Sequence, residues 1–160
     1  MVVVNRAPPY PAVIRPLQDA QADAVAALWH ATNLESYPYN AVQQSHTLEG
    51  AVQFFCGTLR REARLWVATV DDTPAGVLAL QGDLVRTLAV FRPWQRRGIG
   101  TALMATARAE SPRGLRLYTF ERNAAARAFY ARLGFVEVAF GVSPAPESEP
   151  DVLLQWAPSH

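Results

Sequence analysis

A chain of 160 residues, half of them hydrophobic, 10% aromatic and 18% charged, is long enough for one domain with a real core and too apolar for a disordered segment. Its single cysteine, Cys56, excludes an internal disulfide and a cysteine-based zinc site. Its histidines, His30, His46 and His160, have no metal-ligand neighbour at helical or loop spacing, so no metal is expected. The net charge is +1 and all 15 basic residues are arginine, which excludes Schiff-base chemistry on a side chain and a lysine-bearing phosphate loop.

In chain order, Ala12–Arg15 predicts a short strand ended by Pro16. Asp19 is placed to cap a helix running to about Ala31, with Val25, Leu28, Trp29 and Thr32 at helical spacing. Asn33–Asn40 is polar and aromatic without periodicity, the pattern of an exposed loop. Thr47 is a cap for a second helix carrying Leu48, Val52, Phe55 and Leu59. Leu65–Val70 and Ala75–Leu80, joined through Asp71-Asp72-Thr73-Pro74, predict a hairpin, and Leu84–Val90 a third strand. Pro93 breaks the pattern. A helix follows from about Gly98 to Ala109, with Ile99, Leu103 and Thr106 on one face, then a strand at Leu115–Phe120. Asn123 caps a helix with Ala126, Phe129, Tyr130 and Leu133 at i, i+3, i+4 and i+7, and Gly134 is placed to end it. Strands at Phe135–Phe140 and Asp151–Trp156 flank a Pro-, Ser- and Glu-rich loop, Gly141–Pro150. There is no internal repeat and no linker, so residues 1–160 are expected to form one domain with a mixed α/β sheet.

No apolar run approaches the ~18 residues that a membrane span requires. Met1–Arg6 places a short apolar stretch ahead of its charge, the reverse of a signal peptide. A cytoplasmic protein without a membrane partner is therefore expected. The charge is uneven. Leu84–Arg132 holds ten arginines and two acids, a net +8, which leaves −7 on the rest of the chain. That segregation points to a polyanionic ligand, or else to a solvated arginine-rich helix face.

The segment Gln95-Arg96-Arg97-Gly98-Ile99-Gly100-Thr101 joins a strand to a helix. Gly98 and Gly100 remove side chains where backbone must approach a ligand. The first helical amides lack intrahelical partners, the helix dipole adds positive potential, and Arg96 and Arg97 add two charges. Such a loop suits phosphate. It is not a dinucleotide fingerprint, because Leu103 stands where the third glycine belongs.

Leu88-Ala89-Val90, Pro93 and Gln95-Arg96-Arg97-Gly98-Ile99-Gly100, followed by Asn123, Ala126, Phe129, Tyr130, Gly134 and Phe135 spaced as N-x-x-A-x-x-F-Y-x-x-x-G-F, resemble the two signatures of the GNAT N-acetyltransferase superfamily. The resemblance is tightest over Trp66–Phe140. It implies the GNAT acyl-CoA N-acyltransferase fold, a single domain with a mostly antiparallel sheet flanked by helices. It also implies acetyl-CoA as cosubstrate and transfer of an acetyl group to a primary amine of a small molecule or peptide through a tetrahedral intermediate. In such proteins the strand matched by Leu88, Ala89 and Val90 splays from its neighbour and pairs with the pantetheine arm. Arg96, Arg97, Gly98, Ile99, Gly100 and Thr101 match the pyrophosphate cradle, and Asn123 and Ala126 match residues beside the cofactor arm. Tyr130 matches the donor to the leaving sulfur, a role that suits a phenol of pKa ~10. Dimers are common in the family, and a homodimer is compatible with the sequence.

The general base is not legible. Leu84 and Tyr118 stand at the two positions where family members carry a glutamate. Asp83, next to Leu84, is expected on the opposite strand face, and the remaining candidates are His46, Glu35, Glu49 and Glu121. A water chain is a further alternative. The acceptor pocket is expected from Asn33–Thr47 and Gly141–Pro150, with Tyr37, Tyr39 and His46 as contacts and Glu35, Glu147, Glu149 and Asp151 drawing a cationic amine. Two other readings compete. One is a non-catalytic acyl-CoA-binding regulatory protein on the same fold. The other is nucleic-acid binding, which the scatter of the arginines over several elements and the lack of any nucleic-acid motif disfavour.

Overall fold

The computed structural model describes residues 11–159; Met1–Arg6 and His160 lie outside them. In order the elements are β1 Val13–Pro16, α1 Asp19–Ser36, α2 Ala41–Ser45, α3 Leu48–Gln53, a π-helical turn Phe54–Leu59, α4 Arg60–Glu62, β2 Arg64–Val70, β3 Thr73–Gln81, β4 Leu84–Val90, α5 Ile99–Glu110, β5 Leu115–Phe120, α6 Ala124–Arg132, β6 Val136–Val142 and β7 Pro150–Trp156. The strands form one seven-stranded sheet, β1-β2-β3-β4-β5-β7-β6. Every neighbouring pair is antiparallel except β4–β5. This is the mixed, mostly antiparallel sheet flanked by helices that the sequence implied.

Both faces of the sheet centre are covered, which is why β2 and β3 read as nearly continuous apolar runs. Leu65 and Val67 of β2 and Val77 and Ala79 of β3 pack with Val25 and Ala26 of α1 and with Phe55 and Leu59. Trp66, Ala68 and Val70 of β2 and Leu78 and Leu80 of β3 turn the other way. They meet Ile99, Leu103, Met104 and Ala107 of α5. Successive strand residues point to opposite faces, so one sequence stretch feeds two cores. Thr106, expected beside Ile99 and Leu103, is only half-buried; Met104 and Ala107 complete that face instead.

Three expectations are corrected. The start of α1 is capped by Gln18, whose backbone N–H donates to Gln21 Oε1 at 3.1 Å; Asp19 is already helical and pairs with Arg60. The stretch Asn33–Asn40 is not one exposed loop. Helix α1 runs through Ser36, and Asn40 is buried, its Oδ1 accepting from the Gln43 N–H at 3.0 Å to cap α2. The helix capped by Thr47 forms as expected, with Thr47 Oγ1 accepting from the Gly50 N–H. The π turn then shifts its register, so Phe55 and Leu59 are buried while Leu48 is exposed. Among the described residues, no helix is long and apolar enough to cross a membrane.

The charge segregation dissolves in three dimensions. Five of the ten arginines of Leu84–Arg132 pair with acids from outside that segment: Arg86 with Glu62, Arg92 with Glu35, Arg116 with Asp83, Arg122 with Glu149 and Arg127 with Glu137. A sixth, Arg108, donates to the Leu133 carbonyl and lies 4.6 Å from the Trp156 ring. The +8 and −7 therefore largely cancel, and the pull of Glu35 and Glu149 on a cationic ligand is weakened by their partners.

Candidate active site

Strand β4 pairs with β3 from Gln81↔Leu84 to Gly76↔Val90. On its other side it meets β5 at one register position, Leu84↔Arg116. Beyond that point the two strands diverge, and the β5-facing edge of β4 from Arg86 to Val90 has no strand partner among the described residues. A cleft of about 850 Å³ opens in the gap. It contains Leu88, Ala89 and Val90 of β4, Arg96, Gly98, Gly100 and Thr101 of the following loop and helix, and Asn123, Ala126 and Tyr130 from the far wall. The Val90 carbonyl at the end of this edge accepts from Gln95 Nε2 at 3.0 Å; the rest of the edge has the extended backbone donors and acceptors that an amide-bearing ligand arm could pair with.

The loop after β4 delivers the N-terminus of α5 to one end of the cleft. Gly98 is its cap with φ 83°, a left-handed conformation that glycine adopts without a Cβ penalty; Arg96, with φ 62°, adopts it too. The Ile99, Gly100 and Thr101 amides precede any helical acceptor and are available to an anion. The two glycines do different jobs. Gly100 is buried, and a Cβ there would stand 3.1 Å from Phe129 Cζ and 3.5 Å from Val90 Cγ2. It therefore lets α6 pack against α5. Gly98, not Gly100, supplies the positive φ. Ile99 is 1% exposed and belongs to the core, so only its backbone faces the cradle. The Arg97 side chain donates to the Pro93 carbonyl at 3.2 Å and is not among the residues lining the cleft. Of the ten arginines, Arg86, Arg96 and Arg132 line it.

Helix α6 forms the far wall. Asn123 Oδ1 accepts from the Ala126 N–H at 3.1 Å, so the cap consumes its oxygen and leaves its NH₂ for the cleft. No residue of α6 is fully buried; the apolar face read from its periodicity lines the cleft as much as the core. Tyr130 packs edge-on against Phe129 and Phe135, with ring centroids 5.2 and 5.6 Å away. Its hydroxyl has no hydrogen-bond partner among the described residues. Burial, reinforced by nearby Tyr37, pushes its pKa well above the ordinary phenol value, so it holds its proton at any physiological pH.

A second chamber of about 600 Å³ adjoins the cleft, and the two share Tyr37, Tyr118 and Thr119. Its walls are Phe120, Phe140, Leu153, the β6 end Gly141–Val142 and the following Ser143 and Pro144, with Asp151 among them. Tyr37, from the end of α1, stands edge-on to Phe120 at 5.1 Å. Tyr39 lines neither space. It backs Phe120 at 6.4 Å, lies under Arg122 at 4.5 Å, and has a buried hydroxyl without a partner among the described residues. His46 is exposed at the end of α2 and also lines neither. Of the three acceptor contacts expected from sequence, Tyr37 is the one the fold brings to the site. Of the four acids expected to draw an amine, Asp151 is the one lining this chamber; Phe120 and Phe140 were the least legible members, because nothing local separates them from ordinary strand residues.

Among the described residues, no carboxylate or imidazole lines the cleft itself. Glu35 is taken by Arg92 at 3.0 Å, and Glu49 and Glu121 are exposed. Asp83 is bonded to Arg116 at 2.9 Å. The Cys56 thiol is pushed up by burial and by its bond to Asp23, and it lies outside both spaces. A free strand edge, a cluster of helix N-terminal amides and Arg96 along one groove fit the pantetheine and pyrophosphate of coenzyme A.

The comparisons agree with this geometry. Among curated proteins none matches the chain. The solution structure of apo YjaB from Escherichia coli is 23% identical, with a TM-score of 0.76 over 91% of this chain and 97% of that one. The ribosomal-protein-S18-alanine N-acetyltransferase from Escherichia coli is 19% identical, with a TM-score of 0.67 over 94% and 96%. A Bacillus anthracis acetyltransferase in complex with acetyl coenzyme A is 20% identical, with a TM-score of 0.56 over 61% and 64%. These likenesses carry the fold. Residues 61–137 match the acetyltransferase (GNAT) domain family, a match that supports acetyl transfer with acetyl-CoA as cosubstrate. It spans the splayed strand, the phosphate cradle and the tyrosine helix, and on it the chain belongs to the GNAT superfamily.

Proposed function

We propose that the protein is an acetyl-CoA-dependent N-acetyltransferase, a single domain over residues 1–160, acting in the cytoplasm on a primary amine of a small molecule or peptide. The observation that carries the reading is the junction at Tyr37, Tyr118 and Thr119, where a cofactor-shaped cleft meets a separate apolar chamber. Two substrates brought from opposite sides to one junction need only proximity and orientation for direct attack.

Acetyl-CoA supplies an already activated thioester. The chain's own groups then have four tasks. The free edge of β4 holds the extended arm, and one of its amides is placed to donate to the oxygen on which charge develops. The amides of Ile99–Thr101 with Arg96 hold the pyrophosphate. The Tyr130 hydroxyl, protonated and unpartnered, gives its proton to the departing sulfur and regains one from solvent. The amine's proton leaves through water, since no base among the described residues lines the cleft. The raised thiol pKa and remote position of Cys56 argue against a covalent acetyl-enzyme.

The absence of a base in the cleft is also what favours the second reading, a non-catalytic acyl-CoA-binding regulator. Coenzyme A thiol release over a panel of primary amines separates them. Amine-dependent release with acetylated product supports the enzyme. Tight acetyl-CoA binding with no transfer to any amine supports the regulator.

A further inference from the structure

Asp151 is a largely buried residue whose carboxylate borders the chamber and has no counter-ion among the described residues. It is 8% exposed, no cation pairs with it and no side chain bonds its carboxylate among the described residues. The β-ladder fixes its place. Asp151 sits between Phe120 of β5 and Gly141 of β6, with Leu153, two residues on, sharing its face of the sheet. Gly141 leaves room for the carboxylate: a Cβ there would already stand 3.4 Å from Asp151 Oδ1. The surrounding chamber is aromatic and aliphatic, formed by Tyr37, Tyr118, Phe120, Phe140 and Leu153. The other acids once expected to attract an amine are engaged elsewhere, Glu35 with Arg92, Glu149 with Arg122, and Glu147 with Gln43.

An unpaired carboxylate in an apolar wall is costly unless a ligand completes it. Partial desolvation raises the Asp151 pKa, the direction such a cost takes. The group that repays it is a cation, and the chamber opens on the junction where an acceptor amine must arrive. A volume of about 600 Å³ lies within the range of small-molecule sites, with Tyr118 and Phe140 on its exposed side.

Resting on the reading of the protein as an N-acetyltransferase, we propose that Asp151 is the specificity-determining anchor of the acceptor site. Its carboxylate draws in the ammonium form of a small primary amine, which then gives one proton to water so that its freed lone pair can attack the thioester, while the apolar, ring-sized body packs against Tyr37, Phe120 and Phe140. Polar amines lose the packing. Amino acids bring a second carboxylate beside Asp151 and are rejected by like charge. Neutral isosteres leave the Asp151 carboxylate unpaired.

The probe is 2-phenylethylamine, set against ethanolamine, phenylalanine, the neutral isostere 2-phenylethanol, and a short peptide with an apolar first residue. Binding is measured by calorimetry on the protein saturated with coenzyme A, and transfer by thiol release from acetyl-CoA. In the wild type, 2-phenylethylamine binds at least about tenfold more tightly than each of the other four. Asp151→Asn, nearly isosteric, weakens 2-phenylethylamine by at least about 30-fold and leaves 2-phenylethanol within about threefold of wild type, while coenzyme A affinity is unchanged. Wild-type affinity in a folded Asp151→Asn protein overturns the assignment, and so does a wild-type preference for ethanolamine, phenylalanine or the peptide. The wild-type ranking stands as a test even if the variant fails to fold. Amine-selective binding without transfer refutes the N-acetyltransferase reading while upholding the anchor; transfer that ignores Asp151 does the reverse.

Discussion

Tyr130→Phe deletes one oxygen from the cleft wall, and the structure defines what that oxygen touches. The hydroxyl has no protein partner among the described residues, so its removal strands no buried donor or acceptor. The ring keeps its edge-on contacts with Phe129 at 5.2 Å and Phe135 at 5.6 Å. Folding free energy should therefore stay within about 0.5 kcal/mol of wild type. Catalysis should not. General acid groups contribute ~10²–10⁴-fold, and a thiolate is a tolerable leaving group, which places the loss at the low end. We expect kcat to fall about 10–100-fold, equivalent to ~1.4–2.7 kcal/mol of barrier, with coenzyme A affinity unchanged. The loss should shrink for an acyl donor whose thiol is more acidic. Because burial holds the phenol well above its ordinary pKa, Tyr130 should contribute no basic limb to the kcat profile below pH ~10. Steady-state kinetics on an amine found by screening, beside a thermal melt of both proteins, reads every term. An equal kcat refutes the proton-donor role, and a lower melting temperature with unchanged kcat assigns Tyr130 to packing.

Three further outcomes follow from particular contacts. Gly98→Val forces a β-branched residue into φ 83°, a left-handed strain of ~1–2 kcal/mol or more, and should lower coenzyme A affinity at least tenfold by calorimetry while circular dichroism stays native; wild-type affinity would reduce the loop to a plain turn. Leu103→Ala empties a fully buried position between α5 and the sheet and should cost about 2–5 kcal/mol in urea unfolding, with a smaller loss showing that the site collapses. Asp151 has a folded-state pKa raised by desolvation, so its charged form costs stability, which is lost as pH rises from the unfolded value of ~3.9 through the folded one. Asp151→Asn should accordingly melt higher than wild type at neutral pH and equal to it below pH ~4, and an advantage that persists in acid would contradict the linkage.

The strands were legible to within a residue or two because covering the sheet centre on both faces demands long β-prone apolar runs, and Asp71-Asp72 and Gly82 punctuate them. The phosphate cradle was legible because a glycine pair and two arginines between a strand and a helix have few other uses. Other features needed the fold. Asn33–Ser36 reads as loop from its residues, yet α1 carries it as helix to the edge of the cleft, where Thr32, Asn33 and Ser36 become lining. Gly100 reads as a conformational glycine, but the Phe129 ring against it is what demands the missing side chain. The basic segment looks like a polyanion footprint until Arg92, Arg116, Arg122 and Arg127 are seen with their acids, each placed by a different pairing of elements. Asp151 was indistinguishable from its neighbouring acids, because what sets it apart is burial on the chamber wall without a counter-ion among the described residues, and sequence records neither burial nor partners.

The central claim is that the groove between β4 and α6 holds acetyl-CoA, and a thermal melt with and without acetyl-CoA tests it most directly. Binding to the native state alone stabilises by ~2.7 kcal/mol at 100 times the dissociation constant, which for a chain of this size raises the melting temperature by about 5–10 °C. The account predicts that rise for the wild type and its loss in Gly98→Val. A wild-type melt unmoved by millimolar acetyl-CoA would contradict it.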